Sequence, residues 1–234
     1  MRILFPAVLM FLCLPAYEAV ASSNATRAWN FRVLLEGNDI GYHRFELEER
    51  DDARVLSSKA EFDVRFLFFN AFRYRHDDVE TWRDGCLRQL EAKTVTNDKT
   101  RVVSGATTDD GFVVSRDGDT EELPQCVMTF AYWNPEFLKE PQLLNPQTGE
   151  YLDVEIEKLP RQSVNVAGES VLAERYSIKA RGADIAVEVW YAQDDRWIGL
   201  ESVVKGGRKI RYELTGMSPP PQRDYAWRVP RSDI

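Results

Sequence analysis

The feature that most constrains this chain is a period-two alternation of apolar and polar residues, interrupted repeatedly by turn-forming clusters. Phe31, Val33 and Leu35 alternate in one stretch, and Phe62, Val64, Phe66 and Phe68 in another. Successive strand side chains point to opposite faces, so this spacing specifies strands with one face toward a core. Gly37-Asn38-Asp39, Asp84-Gly85, Asp109-Asp110-Gly111, Asp117-Gly118 and Gly206-Gly207 punctuate the pattern with the chemistry of tight turns. Strands are expected over 29–36, 40–48, 58–82, 86–95, 101–105 and 112–116. A second series is expected over 151–159, 163–166, 171–180, 186–192, 197–204 and 209–214. Asn134 as N-cap, Pro135 at the first position and Glu136 near the positive end of the dipole predict one short helix over 135–139. The fold class is therefore all-β with one short helix: a large curved antiparallel sheet, an open barrel or a sandwich, with a hairpin meander as the simplest topology.

The first residues read as an export signal. Arg2 is followed by an apolar run over 3–14, and Ala19-Val20-Ala21 supplies small residues at a cleavage site before Ser22. The run is too short for a membrane helix, which needs roughly 20 apolar residues, and no later segment is longer. Leu12 before Cys13 argues against lipid attachment. The expected organisation is a signal peptide over 1–21, a single β-rich domain over 22–216 and a flexible tail over 217–234 after Pro219-Pro220-Pro221, in a periplasmic protein. A net charge of −8 disfavours nucleic acid and anionic lipid surfaces as partners.

Cys86 and Cys126 remain after processing. In an oxidising compartment such a pair without CxxC spacing reads as a structural disulfide. Its closure would stabilise the fold by roughly 4 kcal/mol in the chain-entropy view.

Candidate site residues cluster in the longest β signal. A bend centred on Asn70 would place Phe66 opposite Tyr74, Val64 opposite His76, Arg65 opposite Arg75 and Asp63 opposite Asp77, with the diagonals Asp63–Arg75 and Arg65–Asp77 offsetting the like charges. Arg65, Arg73 and Arg75 could then bind an anion or a headgroup, or form a surface charge ladder, which contributes little. Phe66, Phe68 and their neighbours are apolar on both faces, so they pack in a core or line an apolar cavity. His43 shares a face with Phe45 and Leu47 and reads as a half-buried core residue. His76 precedes Asp77-Asp78, but adjacent strand residues face opposite ways. Tyr132 and Trp133 belong to an aromatic run that reads as a strand-to-helix corner pinned by the disulfide, or as a lid. No zinc spacing, nucleophile elbow, Walker or dinucleotide motif occurs, and no cofactor is expected.

Taken together, Ile40-Gly-Tyr-His-Arg-Phe45, Phe62-Asp-Val-Arg-Phe66, Phe130-Ala-Tyr-Trp-Asn-Pro135 and Leu144-Asn-Pro-Gln-Thr-Gly149 resemble a bacterial exported family catalogued as a domain of unknown function, DUF6134. The resemblance covers about 29–214 and implies no activity, cofactor or catalytic residue. Val187-Glu-Val-Trp-Tyr191 and Trp197-Ile-Gly-Leu-Glu201 resemble envelope β-proteins with curved, lipoprotein-carrier-like sheets, a fold-level similarity. The leading expectation is a non-enzymatic protein holding an apolar or amphipathic, lipid-like ligand at Arg65, Phe66, Phe68, Arg73, Tyr74, Arg75, His76, Tyr132 and Trp133. The alternatives are an envelope-assembly module pairing a sheet edge with a protein partner, and a hydrolase or isomerase using His76 with nearby carboxylates.

Overall fold

The structure, a computed structural model, describes residues 26–50, 52–66, 69–204 and 206–218, with the backbone alone for 65, 66 and 69–71. The expected signal peptide, Cys13, Phe68 and residues 219–234 of the tail lie outside the described residues.

The described residues form one antiparallel sheet of fourteen strands. Its first half comprises β1 (Thr26–Leu35), β2 (Asn38–Arg50), β3 (Ala53–Phe66), β4 (Phe69–Arg83), β5 (Cys86–Thr96), β6 (Lys99–Thr107), β7 (Phe112–Arg116) and β8 (Asp119–Leu123). A 3-10 helix over Pro135–Lys139 follows, then β9 (Gln142–Leu144), β10 (Tyr151–Val166), β11 (Glu169–Ala180), β12 (Ile185–Tyr191), β13 (Trp197–Val204) and β14 (Arg208–Ser218). The spatial order is β8-β7-β6-β5-β4-β3-β2-β1-β14-β13-β12-β11-β10-β9. Two hairpin meanders are thus sewn together along β1 and β14, and the sheet does not close on itself.

Several details differ from the expectations. The β3–β4 hairpin reverses between Phe66 and Phe69, so Phe62 pairs with Tyr74 and Ala60 with His76, not Phe66 with Tyr74. Charge explains the preference. The expected register set Arg65 against Arg75 and Asp63 against Asp77, whereas the observed one opposes Asp63 to Arg73, Glu61 to Arg75 and Lys59 to Asp77. The stretches 151–159 and 163–166 are one strand, β10, with an irregularity between Leu159 and Gln162. Pro160 has no N–H to donate, so the ladder steps over it. β14 continues to Ser218, where it pairs with Ala28, two residues beyond the expected domain boundary.

Residues from both meanders bury one face of the sheet around a large core that includes Trp29, Phe31, Trp82, Leu90, Val189 and Trp197. The segment between β8 and β9 crosses that face as a strap. Val127, Met128, Thr129, Ala131, Trp133 and Phe137 are all buried along it. The Cys86–Cys126 disulfide fastens its start, with the two Cα atoms 4.9 Å apart. The Leu87 N–H donates to the Val127 carbonyl at 3.0 Å, and the Leu144 N–H donates to the Met128 carbonyl at 2.8 Å. The strap therefore ties β5 to β9. Beyond it, the turn between β9 and β10 lies against β6 and β7, since a Cβ on Gly149 would sit 2.3 Å from Arg116 Cγ and 3.2 Å from Val103. The ends of the curled sheet meet through side chains and loops.

Candidate functional site

The strap fills only part of the interior. Between it and the β3–β4 hairpin lies a cavity of about 440 Å³, within the range of small-molecule sites, about 300–1,000 Å³. Its walls are largely aromatic and aliphatic: Phe45, Phe62, Tyr74, Tyr132, Trp197 and Tyr212 among them. Phe62 and Tyr74 stack with centroids 5.0 Å apart, and Tyr132 packs on Trp197 at 5.3 Å. The Tyr191 hydroxyl donates to the Tyr132 carbonyl at 2.7 Å and fixes the strap at this point.

The floor is polar, and strand geometry assembles it. On β4 the residues Tyr74, His76, Asp78, Glu80 and Trp82 share the inward face, two apart. Register sets Ser58 of β3 directly opposite Asp78, and Thr94 of β5 opposite His76. His43 of β2 reaches the same patch, with Nε2 2.8 Å from Ser58 Oγ and Nδ1 3.4 Å from the Tyr212 hydroxyl. His76 Nδ1 lies 2.9 Å from Thr94 Oγ1. Trp82 Nε1 donates to Glu80 at 2.9 Å. Small residues at Ala60 and Ala92 leave room for this row.

Burial governs its protonation. Desolvation raises the Asp78 carboxyl to about 7, opposed by the Ser58 hydroxyl and aided by Asp77. Glu80 is raised to about 8, first by burial and then by Asp78. Burial lowers His76 to about 4. His43 falls well below its ordinary value through burial and then the proximity of His76. At neutral pH both imidazoles are uncharged, and the only groups on the floor close to ionisation are acids.

This arrangement makes a pH-dependent stability. Carboxyls raised by folding contribute stability that is fully present below their unfolded values and is withdrawn as pH climbs through about 7 and about 8. The depressed histidines act in the opposite sense, adding stability as pH rises toward 6.5. Below 6.5 the two effects oppose each other; above it the acids act alone. The unfolding free energy from urea titration is expected to fall between pH 6.5 and about 8.5, by roughly 2–3 kcal/mol. The Asp78→Asn/Glu80→Gln double variant should flatten that slope. An equal slope in both proteins would refute the account.

The histidine–serine contact is not a hydrolytic triad. A triad needs its carboxylate behind the histidine, on the nitrogen away from the nucleophile. Here the far nitrogen of His43 faces Tyr212, and Asp78 sits on the other side of Ser58. Among the described residues no group of three or more His, Cys, Asp or Glu could hold a metal ion.

Of the residues singled out in the sequence, Tyr74, His76, Tyr132 and Trp133 line the cavity. Arg73 and Arg75 do not: they are exposed on the opposite face of β4, where Arg73 pairs with Asp63 at 3.2 Å. Arg65 and Phe66 are described only as backbone, and Phe68 lies outside the described residues. Ser58, Glu80 and Tyr212 are not among the sequence candidates, and Asp78 is named only beside His76. His43, expected as a hydrogen-bonded half-buried histidine, makes its contacts to Ser58 and Tyr212 here. The signal was present in His76-x-Asp78-x-Glu80-x-Trp82, a period-two continuation of the Tyr74 face.

Comparison with known proteins agrees with this architecture. The family model described as a domain of unknown function, DUF6134, matches residues 31–215. A crystal structure of a β-barrel-like protein of the domain of unknown function DUF1849 from Brucella abortus superposes with a TM-score of 0.59 at 10% identity. That alignment covers 82% of this chain and 97% of the other, and it shows a shared fold. No curated protein matches the chain significantly. Among the described residues no helix is long and apolar enough to cross a membrane.

Proposed function

We propose that the chain, which belongs to the DUF6134 family of unknown function, binds a small amphipathic ligand in this cavity and performs no catalysis. The observation that carries the reading is a deep, partly open space with aromatic walls and a polar floor, beside a strap that leaves it unfilled. Core side chains normally close such space, because an unfilled void forfeits their mutual contacts. The apolar run before the Ala19-Val20-Ala21 site and the Cys86–Cys126 disulfide support a periplasmic location.

Sheet-edge pairing with an envelope protein is the weaker reading. The outermost strands, β8 and β9, are five and three residues long, and β8 carries Asp119, Glu121 and Glu122. Short charged edges discourage strand addition.

The test is native mass spectrometry of protein purified from its own host, with titration of a neutral polarity-sensitive dye. A co-purifying small molecule is expected, with dye binding that Ser202→Trp abolishes by filling the cavity. Protein that carries nothing, and a variant that binds the dye as well as the parent, would defeat the reading.

A further inference from the structure

We infer that the polar end of this ligand is a primary ammonium group, bound at the Asp78 carboxylate while its alkyl part lies along the aromatic wall. The inference rests on the ligand-binding reading and names the chemistry of the occupant.

Its first support is an orphaned acceptor. Asp78 is buried at 6% exposure, and its Oδ1 has no hydrogen-bond partner. Leaving a buried acceptor unpaired is costly, and more so for a charged one. The Ser58 hydroxyl, 2.8 Å from His43, also favours the Asp78 carboxylate, and His76 turns Nδ1 to Thr94, so Oδ1 is left unmet. His76 Nε2 is 3.9 Å from Asp78 Oδ2, too far for a hydrogen bond. A group with N–H donors entering from the cavity would satisfy what the protein leaves unmet.

The second support is the sign of the lining. Among the described residues no Lys or Arg lines the cavity, while Asp78, Glu80 and, at the rim, Asp184 do. A carboxylate or phosphate headgroup at this floor would meet the Asp78 and Glu80 acids with no cation among the described lining residues, and an unpaired buried charge is strongly unfavourable. The arginines of β4 that could have served an anion, Arg73 and Arg75, are on the outer surface.

The walls supply the third. The rings of Phe62, Tyr74 and Tyr212 are among the walls, and aromatic rings accommodate ammonium cations as well as alkyl chains. The acid–aromatic combination therefore accepts both ends of an alkylamine.

Proton linkage follows. The titratable groups that line the cavity with Asp78 are Tyr74, His76 and Glu80 on its own strand, His43 from β2, Tyr212 from β14, Tyr132 from the strap and Asp184 at the rim, with Asp77 behind. Ser58 of β3 and Ala92 of β5, its direct cross-strand partners, carry no charge. The histidines stay neutral above their lowered values, so Asp78 and Glu80 dominate the response. Amine affinity should rise by about tenfold between pH 6 and about 8 as the carboxylate forms.

Calorimetric titration of the full chain with octylamine, octanol and octanoate provides the test. At about pH 8 the amine should bind at least about tenfold more tightly than the alcohol, with octanoate weakest. In Asp78→Asn the amine's advantage over the alcohol should disappear, and circular dichroism should show the variant folded. Equal affinity for amine and alcohol in the parent, tighter binding of octanoate, or an amine preference that survives Asp78→Asn would overturn the inference while leaving the cavity as a binding site. Failure of all three probes to bind, or binding unaffected by Ser202→Trp, would overturn the cavity reading and this inference with it.

Discussion

Gly41→Ala is expected to destabilise the domain by more than about 3 kcal/mol. Gly41 sits on β2 between β1 and β3, at a register irregularity opposite Val33 and Leu34. Its φ of +145° is open to glycine and strained for any L side chain. A Cβ there would lie 1.9 Å from the Glu61 carbonyl oxygen and 3.1 Å from Phe62 Cα. Both are backbone atoms of a neighbouring strand, so no rotamer change relieves the clash. Relief requires β2 and β3 to separate beside Phe62, which is part of the cavity wall. The measurement is a denaturant titration alongside Gly37→Ala, where a Cβ meets nothing within 4 Å. Gly37→Ala should lose only the turn-strain component, about 1 kcal/mol. Equal losses at the two positions would refute the close-approach argument.

Removal of the Cys86–Cys126 bridge should have a comparable effect, about 4 kcal/mol for a loop with a sequence separation of 40. Its consequence reaches beyond the unfolded chain. The bridge holds the first residue of the strap beside β5, and the Leu87–Val127 and Leu144–Met128 hydrogen bonds follow directly along it. Further on, Trp133 packs edge-to-face on Trp82 with centroids 5.7 Å apart. Cys126 is exposed, so a mild reductant can reach the bridge in the folded protein. In the reduced protein, or in Cys86→Ala/Cys126→Ala, the Leu87 and Leu144 amides should lose hydrogen-exchange protection before those of β1 and β14. A loss below about 1 kcal/mol with unchanged protection would show that packing alone holds the strap.

Alternation and turn chemistry carry most of the fold, and they were legible residue by residue in the long strands. β8 was not, because Asp119-Thr-Glu-Glu-Leu is an edge strand with only Leu123 buried and therefore lacks an apolar period. β9 was hidden for a different reason: three residues are too few to show any period, and its pairing depends on the distant strap. The β3–β4 register depended on where the chain reverses, which local pattern constrains weakly when Phe66 to Phe72 are almost all apolar. The site was only partly legible. Tyr74 and His76 follow from alternation along β4, but Ser58, His43 and Tyr212 join them through pairings across β2, β3 and β14. In the sequence Asp78 stands out only as a neighbour of His76 and Glu80 not at all, because acids are usually found at the surface.

The partnership of β1 with β14 carries a cost in time. The first eight strands can zip up from neighbouring hairpins, each closing a short loop, but one side of β1 must wait for a strand that comes from the far end of the chain, with Arg32 meeting Glu213 across a separation of 181 residues. Until β14 arrives, Trp29, Phe31 and Val33 sit on an unpaired border in the middle of what will become the sheet. That border is where a nascent or refolding chain is most open to joining the wrong neighbour.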